Sequence, residues 1–178
     1  MIMRKGTAPW QFGGFSLTVL VGTLLHFLYD LTNKYIIAAP FSSVNESTWE
    51  HMKLLFFPMF LFSLIQSRFF KDHRDFWCIK LIGILTGLLS IPFLFYTYNG
   101  VFGESPAWLN VAIFFFSSAA AFLLEAKLFT KNGTRCKKQW LAFALICLMG
   151  VLFIVFTFFT PRIPLFQNPL NGTYGISG

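Results

Sequence analysis

Long uncharged, apolar runs separated by short polar connections dominate this chain. The run Gly6–Tyr29 carries no Lys, Arg, Asp or Glu, and three comparable runs lie within Leu81–Gly103, Ser105–Leu124 and Gln139–Pro161. Each approaches the ~20 residues that a helix needs to cross a bilayer core at ~1.5 Å rise per residue. A fifth run, Leu54–Ser67, is too short by itself. The residues before it, Ser43-Val44-Asn45-Glu46-Ser47-Thr48-Trp49-Glu50, contain two capping-box spacings, Ser43 with Glu46 and Ser47 with Glu50. A helix starting near Asn45 would therefore carry polar residues into the membrane boundary. The pattern predicts an all-α, polytopic transmembrane bundle of five spans, at about 12–30, 45–69, 76–98, 106–128 and 139–160. Residues 1–178 then form one domain ending in a tail, 161–178. The tail is too rich in proline and polar residues to continue the last helix.

Composition agrees. Hydrophobic residues make up 56% of the chain and charged residues 12%, about half the usual share for a soluble domain. The net charge of +7 is explained by topology rather than by nucleic acid. With five spans, Arg4, Lys5, Arg68, Lys71, Arg74, Lys80, Lys127, Lys131, Arg135, Lys137 and Lys138 fall on one side. Only Lys34, Lys53 and Arg162 fall on the other. The bias places the amino terminus inside and the carboxyl terminus outside. Trp10, Trp49, Trp77, Trp108 and Trp140 each lie near a span end, as interfacial belts require. The first run is longer than a signal-peptide core and lacks an adjoining cleavage pattern, so it reads as a retained span.

Several features read as scaffold. Gly83 with Gly87, and Ser117 to Ala121, are small-residue surfaces for close helix contact. Pro58 and Pro92 lie inside spans. Cys78, Cys136 and Cys147 have no paired or metal-type spacing and read as packing residues. Asp72 and Asp75 belong to an inner polar turn, and Glu125 beside Lys127 is expected at the inner interface. The sequons at Asn45, Asn132 and Asn171 carry no weight for glycosylation at these positions.

The remaining acidic residues, Asp30, Glu46, Glu50 and Glu104, map to the outer side together with His26 and His51. His26 and Asp30 are four residues apart and share a helix face, and Glu46 and Glu50 repeat that spacing. An ionisable residue at this depth is expected to face the bundle. The expected catalytic groups are His26, Asp30, Glu50 and His51, a carboxylate orienting an imidazole that acts as acid or base. Asn45, Glu46, Trp49 and Lys53 are the expected substrate contacts. A divalent metal held by His26, Asp30, Glu46 and Glu50 is the alternative use of the same groups, although no HExxH or Cys/His pattern is present.

The stretch Leu25–Pro58, above all His26-Phe27-Leu28-Tyr29-Asp30 and Val44-Asn45-Glu46-Ser47-Thr48-Trp49-Glu50-His51-Met52-Lys53, resembles a family of small bacterial multi-pass membrane proteins of unknown function. The Pro164–Ile176 tail resembles the carboxyl terminus of that family. The resemblance implies a bacterial plasma-membrane location and no particular activity. The His-xxx-Asp helix is loosely similar to those of intramembrane sterol isomerases and ceramidase-like hydrolases, which differ in helix number. The expected function is an outward-facing hydrolase or isomerase acting on a lipid or lipid-linked substrate. The alternatives are a cation- or solute-binding transport subunit and a purely structural membrane protein. Membrane lipids are the expected partners, with a second copy of the chain or another membrane subunit as a further companion.

Overall fold

The structure is a computed structural model, and it describes residues 7–71, 73–103, 106–130, 136 and 138–177. Asp72 and Glu104 lie outside the described residues. Five helices follow one another: α1 (Thr7–Leu31), α2 (Thr48–Ser67), α3 (Phe76–Phe102), α4 (Ala107–Thr130) and α5 (Gln139–Phe158). Two short 3₁₀ turns, Pro164–Phe166 and Gly175–Ser177, shape the tail. Among the described residues the only strand-like pairing is a single bridge between Gln167 and Tyr174.

Four helices, α1, α3, α4 and α5, are long and apolar enough to cross a membrane. Their outward faces expose large apolar side chains such as Phe12, Leu24, Phe93, Phe116 and Leu123. Such faces suit lipid rather than water. The odd one is α2. It packs against all four other helices and buries most of its length, including the run from Met52 to Met59. Its short apolar run now has a physical reason: enclosed by protein, α2 needs little lipid-compatible surface and can bury polar groups against partners.

The expected start of α2 near Asn45 is corrected to Thr48. Ser47 is the N-cap, in extended backbone conformation, and its hydroxyl accepts the Glu50 N–H at 3.4 Å. Asn45 Oδ1 accepts the Ser47 N–H at 2.8 Å, so residues 45–47 form a polar turn before the helix. At the opposite end of the bundle Gln139 ties α5 to α3, its Oε1 accepting the Trp77 N–H at 2.7 Å and its Nε2 donating to the Arg74 carbonyl.

Two expectations fail at that end. Cys78 and Cys136 are joined in a disulfide instead of packing separately, and Cys147 alone remains free. Sequence spacing could not reveal the pair because helix α4 and its connection separate the partners. Lys80 and Glu125, expected as interfacial charges, are fully buried, with Lys80 Nζ 2.6 Å from Glu125 Oε2.

Candidate functional site

The connection between α1 and α2 builds the site. Ser42 folds back so that its hydroxyl donates to the Leu25 carbonyl at 2.5 Å and accepts from the Tyr29 N–H at 2.8 Å. Those are the two groups that an undisturbed helix pairs with each other. A side chain inserted in this ladder opens the helix locally, and His26 is the next residue after Leu25. Nothing in the alternation of polar and apolar residues singles out Ser42.

His26 on α1, His51 on α2 and Glu46 in the turn between them converge. His26 Nε2 lies 3.6 Å from Glu46 Oε1, and His51 Nε2 lies 3.5 Å from Glu46 Oε2. The two imidazole centroids are 5.5 Å apart. One ligand atom from each of the three residues falls within 4.8 Å of the others. His51 Nδ1 is 2.9 Å from the Ser47 carbonyl. A carbonyl only accepts, so Nδ1 carries the proton and the Nε2 of neutral His51 presents a lone pair to the Glu46 carboxylate. Two electron-rich atoms at that distance need a proton or a cation between them. The hydrogen bond from His26 holds the Glu46 carboxyl below its ordinary pKa against the opposing effect of burial.

The remaining expected site residues have other engagements. Asp30 is exposed and stays outside the cluster. Glu50 is buried, with Oε2 accepting both the Lys53 ammonium at 2.6 Å and the Val44 N–H at 3.0 Å. Lys53 also donates to the Ala39 carbonyl at 2.8 Å and to Thr157 Oγ1 at 3.1 Å, so its three donors are used and none is left for a headgroup. Asn45 Nδ2 donates to the Gly175 carbonyl at 3.0 Å. Trp49 stacks between Phe153 and Phe166, with ring centroids 4.5 and 4.6 Å away. Asn45 and Trp49 therefore hold the tail against the start of α2.

A family profile described as a family of unknown function, DUF6512, matches residues 2–176. The chain belongs to the DUF6512 family. Comparison with curated proteins and with solved structures yields no match. What this DUF6512 chain can do must therefore be read from its own geometry.

That geometry suits a transition metal. Ligand atoms at ~2.0–2.1 Å from a tetrahedral zinc lie roughly 3.4 Å from one another, close to the two His–Glu separations. The hydrogen bond from His51 Nδ1 to a backbone carbonyl is the usual outer-shell support of a metal-binding imidazole. Of the expected metal set His26 and Glu46 meet, Asp30 and Glu50 do not, and His51 joins them instead. The side chains of His26 and Glu46 remain 29% and 35% exposed, so a three-residue site here keeps an accessible side.

Proposed function

We propose that this protein binds a divalent transition metal through His26, Glu46 and His51 at the outer membrane boundary, and hydrolyses a lipid or lipid-linked substrate there. One observation carries the reading: two imidazoles and one carboxylate, from α1, α2 and the turn joining them, offer atoms within 4.8 Å. Three protein ligands with an accessible side are the arrangement of catalytic rather than structural zinc, and the bound ion would supply an activated water. The site lies beside the exposed Phe27, whose ring centroid is 5.0 Å from that of His26, so a substrate with acyl chains in the bilayer can bring its polar bond to it. The outer-face assignment rests on the Lys and Arg distribution, and α2 is the fifth span in this reading.

The test is zinc titration of the purified, detergent-solubilised protein with elemental analysis, followed by incubation with polar-lipid vesicles. About one zinc per chain is expected, lost in His51→Ala, with zinc-dependent release of a lipid fragment. Zinc content equal to that of a His26→Ala/Glu46→Ala/His51→Ala variant overturns the metal reading. Zinc binding without any released fragment overturns the hydrolase.

A further inference from the structure

A second polar assembly occupies the opposite end of the bundle, and neither the metal centre nor the lipid reading uses it. Its position follows from the register of the helices. Gly22 of α1 faces the Leu54 carbonyl of α2 and the Phe114 ring of α4, and Gly14 faces Phe62 of α2 and Phe122 of α4. Because α2 and α4 run antiparallel to α1, one further turn brings Gln11, Gln66 and Glu125 to the same level. Gly83 of α3 lies against Glu125 there, and Lys80 reaches the layer from the same helix. Gln11 lies fifteen positions before His26, about 22 Å along α1.

The layer is buried and incompletely satisfied. Gln11 is 4% exposed, and Gln66, Lys80 and Glu125 are fully buried. Both polar atoms of Gln11, both of Gln66, and Glu125 Oε1 have no hydrogen-bond partner. Lys80 Nζ is surrounded by the rings of Phe62, Phe76, Phe122 and Phe129 at 5.5–5.9 Å and, among the described residues, bonds only Glu125 Oε2. Buried amides left unpaired are costly, so their retention in an apolar bundle calls for a ligand. Water both donates to the carbonyl and carboxylate oxygens and accepts from the amide N–H groups that stand here.

Midway along α1 and α4 the pattern repeats. Thr18 Oγ1 and Ser117 Oγ are buried without partners, between the Phe114–Gly22 and Phe122–Gly14 contacts. At the metal end a pocket of about 10 Å³, room for one water, is lined by Thr48, His51 and Asn110, and Asn110 Oδ1 is again unpaired. Three polar layers therefore alternate with two aromatic plugs along the α1–α2–α4 seam.

We propose that this seam conducts protons, with Lys80 and Glu125 as the exchanging groups and the unpaired Gln11 and Gln66 amides orienting the water that reaches them. Glu125 Oε1 forms an O–H bond with a proton from hydronium, releasing water. Lys80 then gives one N–H proton to a water admitted between the rings around it, leaving a neutral amine beside a neutral acid. Transfer of the acid proton to the amine restores the original pair, so one proton passes per cycle. The groups facing the pair are amides and aromatic rings from α1, α2, α3 and α4. His73 is a further titratable group beside this aromatic shell, its ring lying against Phe70 and Phe129.

The test uses the full chain reconstituted in vesicles of phosphatidylethanolamine and phosphatidylglycerol, with a chelator present and a potassium diffusion potential as driving force. Internal pH is followed with a trapped dye. Proton entry is expected about tenfold faster than in protein-free vesicles, and returned to the protein-free rate by Lys80→Met/Glu125→Leu. That double replacement removes both charges, leaves none unpaired, and should fold and bind zinc as before. Gln66→Leu, which keeps the ion pair, should slow entry as well and serves if the double variant fails to fold. Wild-type vesicles no faster than protein-free ones, or variants as fast as wild type, overturn the proposal. Zinc binding is read separately, so either reading can fail alone.

Discussion

Lys53 Nζ lies 2.6 Å from Glu50 Oε2, one helical turn away, with both side chains buried. Charges in such a place are stable only as a pair. Lys53→Met leaves a buried carboxylate with just the Val44 N–H, and a loss of about 3–5 kcal/mol is expected in denaturant titration in detergent. Glu50→Leu/Lys53→Met should recover part of that loss. A single variant as stable as wild type would show that the pair is hydrated.

Acid should release the metal. Binding requires unprotonated imidazoles, so affinity falls as pH drops through the histidine range. Glu46 does not set that limit: its carboxyl is held below its ordinary pKa and stays anionic while the histidines charge. For apo-protein stability the sign follows the same shift. A lowered folded pKa contributes stability above the unfolded value, and that stability disappears as pH falls through the folded value. Zinc titrations across acidic pH check the first statement. A binding midpoint in the carboxylate range would remove the histidines from the site.

Phe166 should be the anchor of the tail. It is 4% exposed and packs on Trp49 and Phe156. Phe166→Ala should cost about 3–5 kcal/mol of local or global stability and open 161–177 to limited proteolysis. Zinc binding should survive, because the ring packs on Trp49 and Phe156, neither of which belongs to the His26–Glu46–His51 cluster. Loss of zinc together with the tail would make the tail part of the site.

Gly83 has no room for a side chain, since a Cβ there collides with Glu125. Gly83→Val should displace the carboxylate and cost about 1–3 kcal/mol by overpacking, measured as a lower melting temperature. An unchanged melting temperature would mean that α3 and α4 separate more readily than the packing implies.

Orientation can be read with cysteine labelling in a cysteine-depleted background. Lys34→Cys, on an exposed turn, should react with a membrane-impermeant maleimide in intact cells, and Arg74→Cys only after permeabilisation. The reverse pattern inverts the topology. The native Cys78–Cys136 pair lies at the Arg74 end. If that end is cytosolic, both thiols should be found reduced in cells.

Much of the architecture was legible in the one-dimensional pattern. Four apolar runs became four helices long and apolar enough to cross a membrane, because a helix pairs its backbone groups within one segment and needs no partner strand. The short fifth run correctly announced an unusual helix, and the Ser47–Glu50 spacing marked its cap. His26, Glu46 and His51 were candidates from residue type and position along predicted helices. What one dimension could not supply was which of the nearby polar groups would meet. Asp30 and Glu50 look equivalent to Glu46 in the sequence, yet one is exposed and the other is bound to Lys53.

The sequence by itself therefore determined an all-α apolar bundle and a polar cluster near the α1–α2 connection, because hydropathy and capping are local properties. Tertiary structure alone decided that Glu46 joins the two histidines, that Lys80 pairs with Glu125 forty-five residues away, and that Cys78 meets Cys136. Those choices depend on helix rotation and antiparallel register, which are set by close packing at glycines and by the burial cost of unpaired charge.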